Sequence, residues 1–118
     1  MTGDRDPGVY LDDILDAATK AREFVAGISF EEFKTDDRTT FAVLRALEIV
    51  GEASKQVPAE VRNRASDVPW QDMAGMRDKL IHGYQGVDLR VVWRTVQEDL
   101  PELIAEIRRL RSGPGGTH

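Results

Sequence analysis

The segment RDKLIHGY, residues 77–84, sets side chains of several types that do acid–base or anion chemistry close together. Arg77, Asp78, Lys79, His82 and Tyr84 surround a two-residue apolar step, Leu80–Ile81. Histidine titrates near neutral pH, so it can take a proton from a hydroxyl or return one to a leaving oxygen. Arginine is always charged and holds two phosphate oxygens at once, which stabilises charge that develops in a transition state. Tyrosine stacks on a base or hydrogen-bonds a phosphate. With no metal ligands beside them, these residue types suit phosphoryl chemistry on RNA. The second histidine, His118, ends a glycine-rich tail and carries little weight.

Spacing constrains how these groups meet. Arg77 and Tyr84 are seven apart and share one face of a helix, and Asp78 and His82, four apart, stack on a neighbouring face. Arg77 and His82 are five apart and diverge by roughly 140°. They converge on one ligand only if the helix end unwinds at Gly83, or if a second subunit supplies the other half. The same residues also admit an ordinary structural account. A histidine at a helix C-terminus meets the negative end of the dipole, an Arg–Asp pair can be a solvated face, and a tyrosine after glycine can be a packing residue.

The elements that must carry this segment follow from apolar periodicity. Tyr10, Ile14, Ala17, Ala18, Ala21, Phe24, Val25 and Ile28 trace one helical stripe that opens at Pro7 and stops near Gly27. Phe30 and Phe33 belong to a short turn or single-turn helix that returns two aromatics to the core. A second helix starts at Asp36 or Asp37 and runs through Phe41, Leu44, Leu47, Val50 and Ser54 to stop before Pro58. It is apolar on nearly all sides. Residues 58–66 read as a short helix or turn. Ser66, Asp67 and Pro69 open a third helix that carries the candidate segment and ends at Gly83 or Gly86. Asp88 caps a last helix with a stripe from Leu89 to Leu110, and Pro101 inside it predicts a kink or short break. No strand pattern and no repeat occurs. The expectation is an all-α bundle of four main helices plus short helical turns, spanning residues 8–111, with a flexible N-terminus at 1–7 and a disordered tail at 112–118. So much apolar helix surface predicts a homodimer.

Composition narrows the function classes. The chain has 118 residues and no cysteine, which removes disulfides, thiolate zinc sites and a cysteine nucleophile. No apolar run approaches the roughly 18 residues of a membrane span, and the first residues are polar and acidic, so a cytoplasmic protein without membrane contact is expected. The net charge of −5 disfavours RNA at first reading. Its distribution reverses that reading. Residues 1–37 hold ten acids and four bases, whereas residues 38–118 hold 11 acids and 12 bases. The half that carries the motif also carries Arg90, Arg94 and the cluster Arg108, Arg109 and Arg111.

The motif Arg77, four residues, His82, one residue, Tyr84 resembles the signature of HepT-type toxins in the HEPN superfamily. Three flanking patterns extend the likeness: LRALEIVGEASKQV (44–57), VPWQDMAGMRDKLIHGY (68–84) and VDLRVVWRTVQEDLPELIAEI (87–107). The resemblance implies a helical bundle that dimerises and brings two Arg–His motifs into one cleft. It implies a metal-independent endoribonuclease that works without a cofactor, the toxin of a type II/VII-like toxin–antitoxin pair. The implied antitoxin is a minimal (MNT-type) nucleotidyltransferase that attaches AMP to the motif tyrosine. Carried over by position, His82 is the general acid/base and Arg77 the phosphate and transition-state ligand. Asp78, where many such sequences carry Asn, orients one of them. Tyr84 is the modified or RNA-contacting residue.

Two rivals stand beside this reading. Glu48 and Glu52, four apart on the second helix, are spaced like the carboxylates of a di-metal bundle, but that architecture wants Glu-x-x-His and residue 79 is Lys. Glu48 and Glu52 then read as interhelix salt-bridge or hydrogen-bond partners. The other rival is a non-catalytic dimer that binds RNA or a nucleotidyltransferase partner and cuts nothing.

Overall fold

The computed structural model describes residues 6–81 and 87–112, the stretch 76–81 by its backbone alone. Every regular element among the described residues is helical. Helix α1 (Pro7–Phe24) opens on Asp6, whose carboxylate accepts the Gly8 N–H at 2.8 Å, with Pro7 in the first turn where a missing donor does no harm. Gly27 takes φ +80°, a conformation glycine adopts without strain, and turns the chain toward α2 (Phe30–Thr35). There the Glu32 N–H donates to Ser29 Oγ at 3.1 Å, and the Ser29 N–H donates to Glu32 Oε1 at 2.9 Å. This reciprocal box fixes the start of so short a helix.

Helix α3 (Asp37–Gln56) is capped by Asp36, which accepts from the Thr39 N–H at 3.2 Å and the Thr39 hydroxyl at 2.8 Å. The Thr39 hydroxyl bond, followed by the backbone bond, holds the Asp36 carboxyl below the usual carboxylate range. Val57 is extended, as a residue before proline should be, and ends the helix. Helix α4 (Ala59–Asn63) is one short turn, and α5 (Trp70–Ile81) follows it. The glycines expected to stop α5, Gly83 and Gly86, lie outside the described residues, as does the tail expected to be disordered at 112–118 apart from Ser112, which ends the last helix.

The chain resumes into α6 (Leu89–Arg94), capped by Asp88, which accepts the Arg90 N–H at 2.9 Å. The interruption expected at Pro101 takes an unexpected form. Residues Thr95–Asp99 make a π-helical segment, and helix α7 (Leu100–Ser112) continues straight from it through Pro101. The Leu100 N–H donates to the Thr95 carbonyl, five residues back instead of four. Proline offers no N–H, and its ring crowds the carbonyl four residues earlier, here Gln97. A widened turn just before it accommodates both defects without ending the helix.

Packing makes one core. Helix α1 lies against α3 and α7, α3 lies against α5, and α2 bridges α3 and α6. Ile14, Phe33, Val43, Leu47, Val50, Val96, Leu100, Leu103 and Ile107 are fully shielded from solvent. Two contacts fix α1 along the last helical rod. Arg22 near its C-terminus donates to the Val96 carbonyl at 3.3 Å and to Gln97 Oε1 at 3.1 Å. Asp12 near its N-terminus accepts from Arg111 Nε at 2.9 Å. The two rods are therefore antiparallel. Gly8 permits the second contact, because a Cβ there would sit 2.5 Å from the Arg111 guanidinium.

Three expectations change. Phe24 and Phe41, placed on the apolar stripes, are 42% and 53% exposed. Thr40, beside Phe41, is buried instead, and its hydroxyl donates to the Phe33 carbonyl at 2.8 Å. Glu48, expected to bridge helices, pairs among the described residues with Arg45, one turn earlier on α3, at 2.8 Å.

Candidate active site

Helix α5 is the platform for the RDKLIHGY segment, and its N-terminal half is locked in place. Trp70 is 7% exposed, and its indole N–H donates to the Ala65 carbonyl at 3.0 Å. The Trp70 backbone N–H bonds the Val68 carbonyl at 2.8 Å, and the Met73 N–H bonds the Pro69 carbonyl at 3.0 Å. Val68, Trp70 and Met73 are all buried and belong to the central apolar cluster. A side chain as large as tryptophan tolerates little displacement in a packed interior. The direction in which α5 leaves the core is thereby set one to two turns ahead of the candidate residues.

Arg77 and Asp78 fall in the second half of α5, on consecutive positions and so about 100° apart around the axis. Their side chains lie outside the described residues, as do His82 and Tyr84 altogether. The surroundings are described on both sides. Upstream, Gly75 faces open space: among the described residues, and apart from its own helix turn, no atom lies within 4 Å of the place a Cβ would occupy. Downstream, the chain returns at Val87 and Asp88 into α6, which carries Arg90 and Arg94 one turn apart. Arg90 lies over the Phe30 ring at 5.6 Å, and Lys34 approaches the same ring at 5.6 Å. Each such contact adds modest stability to an exposed cation.

The first turn of α5 also comes near the π segment. Burial pushes the Asp99 carboxyl above its usual range, and the nearby charges of Glu98 and of Asp72 on α5 push the same way, with Arg94 opposing. The field near α5 is thus mixed, with acid at its first turn and guanidinium groups along α6. Among the described residues no group of three or more His, Asp and Glu is placed to hold a metal ion. None of the helices described is long and apolar enough to cross a membrane.

One feature was not legible as part of a site. Trp93, read from sequence as one more core position, stands between two surface grooves. Its ring packs on Phe33 at 5.3 Å and edge-on to Phe30 at 5.9 Å. The available signal was the pair Arg90 and Arg94 flanking it in sequence.

A small all-α bundle whose third long helix carries the arginine of an Arg-x4-His-x-Tyr sequence is a HEPN-like domain. Comparison with known proteins narrows this. Residues 14–110 match the family HepT-like, described as ribonuclease HepT-like. The chain is 52% identical over 102 residues to "Probable ribonuclease HepT" of Thermococcus cleftensis, covering 86% of this chain and 93% of that protein. It is 47% identical over 104 residues to "Putative RNase TTE0752" of Caldanaerobacter subterraneus subsp. tengcongensis, covering 88% and 93%. No solved structure matches. The chain belongs to the ribonuclease HepT-like family.

Proposed function

We propose that this protein is a metal-independent endoribonuclease, the toxin of a toxin–antitoxin pair, and that Arg77 and His82 cut RNA. The observation that carries this reading is the family match over residues 14–110, which encloses the whole Arg77–Tyr84 motif. Relatives named as ribonucleases align over most of the chain. In the proposed step the ribose 2′-oxygen attacks the adjacent phosphorus. The new 2′-O–P bond forms as the P–O5′ bond breaks, leaving a 2′,3′-cyclic phosphate and a 5′-hydroxyl. His82 takes the 2′-hydroxyl proton or supplies one to the 5′-oxygen, and Arg77 holds the phosphate oxygens as charge builds on them. Asp78 orients His82 or Arg77.

The five-residue spacing of Arg77 and His82, which a continuous helix would set roughly 140° apart, supports a homodimer in which two motifs complete one cleft. Exposed Phe24, Phe41 and Val91 support the same reading, since apolar area of this kind gains from burial. The antitoxin is a nucleotidyltransferase of the minimal type that transfers AMP from ATP to the Tyr84 hydroxyl and releases pyrophosphate. The added phosphate and bulk would repel and block an RNA strand beside the motif. Two measurements test this. RNA incubated with the protein in EDTA should yield cyclic-phosphate and 5′-hydroxyl ends; loss of cleavage on chelation contradicts the mechanism. Intact mass after incubation with the partner and ATP should rise by one AMP; a rise that persists in Tyr84→Phe contradicts the modification site.

A further inference from the structure

Two grooves meet at Trp93 and Gln97, which line both. The larger, about 900 Å³, lies between the end of α1 and the rod formed by α6, the π segment and α7, and it presents Arg22 and Arg108. The smaller, about 400 Å³, lies over Phe30 and presents Arg90 and Arg94. Four guanidinium groups therefore face this surface against two lining carboxylates, Glu23 and Glu98.

Among the described residues these four arginines, like Arg38, Arg62 and Arg64, have no carboxylate partner. Elsewhere Arg45, Arg109 and Arg111 are each held by a carboxylate, at 2.8, 2.7 and 2.9 Å. Arg22 instead bonds the π-segment carbonyl of Val96 and the Gln97 side chain. The two tryptophans differ in the same way. Trp70 gives its indole N–H to Ala65, whereas Trp93 makes no hydrogen bond through its ring among the described residues. Guanidinium groups that no carboxylate neutralises, set around a partly exposed aromatic, are the composition of a surface that follows a nucleic-acid backbone and stacks its bases. From Arg90 to Arg108 the strip runs roughly 27 Å along the helix rod. Its near end starts six residues beyond Tyr84.

We infer that the paired grooves around Trp93 form a binding track for single-stranded RNA, separate from the cleavage motif. This rests on the ribonuclease reading above and adds to it where the uncut part of the strand lies. Arg90 and Arg94 hold phosphates on one side of Trp93, Arg22 and Arg108 hold them on the other, and Trp93 with Gln97 meets a base between them. Such a surface adds affinity for long RNA while leaving a dinucleotide, which does not reach it, unaffected.

The test uses the full chain with His82→Ala, so that RNA is bound and not cut, and a fluorescently labelled single-stranded RNA of about 20 nucleotides. Adding Arg90→Ala and Arg94→Ala should raise Kd at least about tenfold and flatten the salt dependence by about 1.4 in log–log slope. Arg90→Lys with Arg94→Lys should restore most of that slope, which a loss of folding would not allow. With His82 intact, Arg90→Ala/Arg94→Ala should cleave a dinucleotide at the parent rate. An unchanged Kd and slope overturn the track, as does failure of the parent to bind the RNA. RNA binding that is unchanged while affinity for the nucleotidyltransferase falls also overturns it, and makes the surface a protein interface. Absence of cleavage with the binding differences intact overturns the nuclease reading and leaves the track standing.

Discussion

The indole N–H of Trp70 points at the carbonyl of Ala65 from 3.0 Å, and this bond ties the first turn of α5 to the loop that leads into it. Because α5 carries Arg77 and Asp78 about two turns later, the placement of the candidate active site begins at this pair. Trp70→Phe keeps an aromatic ring in the pocket and removes one of the two bonds to the Ala65 carbonyl, which still accepts the Val68 N–H at 3.1 Å. A loss of about 1 kcal/mol is expected, read as a fall of a few degrees in Tm. RNA cleavage should drop further than the loss of folded protein explains, measured as rate per folded molecule.

Phe33 is the largest fully shielded side chain and touches the ring of Trp93. Phe33→Ala should cost about 3–5 kcal/mol, since the cavity collapses only in part. The change should also appear in Trp93 fluorescence. A shifted emission with little loss of stability would mean that the aromatic cluster is less tightly packed than its ring distances indicate.

Asp36 carries a lowered pKa because the Thr39 hydroxyl and the Thr39 N–H stabilise its charge. Its contribution is complete above the ordinary carboxylate pKa of about 3.8. It is lost as pH falls through the lower value in the folded state. Asp36→Ala should therefore lower Tm at pH 7, and the gap to the parent should close only in strong acid. A gap that does not change with pH would assign the effect to something other than the charged cap.

Asp99 behaves in the opposite sense. Burial first, then Glu98 and Asp72, raise its pKa, so the folded chain holds this proton more tightly than the unfolded chain. Stability from this group is present below the unfolded pKa and is lost as pH rises through the folded one. Asp99→Asn should raise Tm at pH 7 and change nothing near pH 3. The carboxyl remains in contact with solvent, so the gain is small, under about 1 kcal/mol. Thermal melts at the two pH values decide it.

Helix limits were readable because they are written in local chemistry. Asp36 and Asp88 cap, Pro58 stops, and Pro7 and Gly27 bracket α1. Which apolar residues turn inward was less readable. Phe24 and Phe41 sit at the margins of their stripes, where a small rotation of the helix decides between core and solvent, and neighbouring helices set that rotation. The π segment had a faint trace. Val92, Val96 and Leu100 are all buried at two successive steps of four, which drift by about 80° on an ideal α-helix. A widened turn absorbs that drift. Arg77, His82 and Tyr84 stand out as candidates by residue type and spacing alone, but the grooves around Trp93 do not. They depend on α1 lying antiparallel to α7, a relation between residues some 75 positions apart, as in Arg22 and Gln97.

The central claim is that His82 moves the proton in a cleavage that needs no metal. The most direct measurement is the single-turnover cleavage rate of His82→Ala in EDTA, set beside the wild type and Arg77→Ala. All three proteins should first be matched by far-UV circular dichroism. A loss of at least about 100-fold is expected for His82→Ala, within the range of general acid–base catalysis, with a large loss for Arg77→Ala as well. Cleavage by His82→Ala at the wild-type rate would contradict the claim.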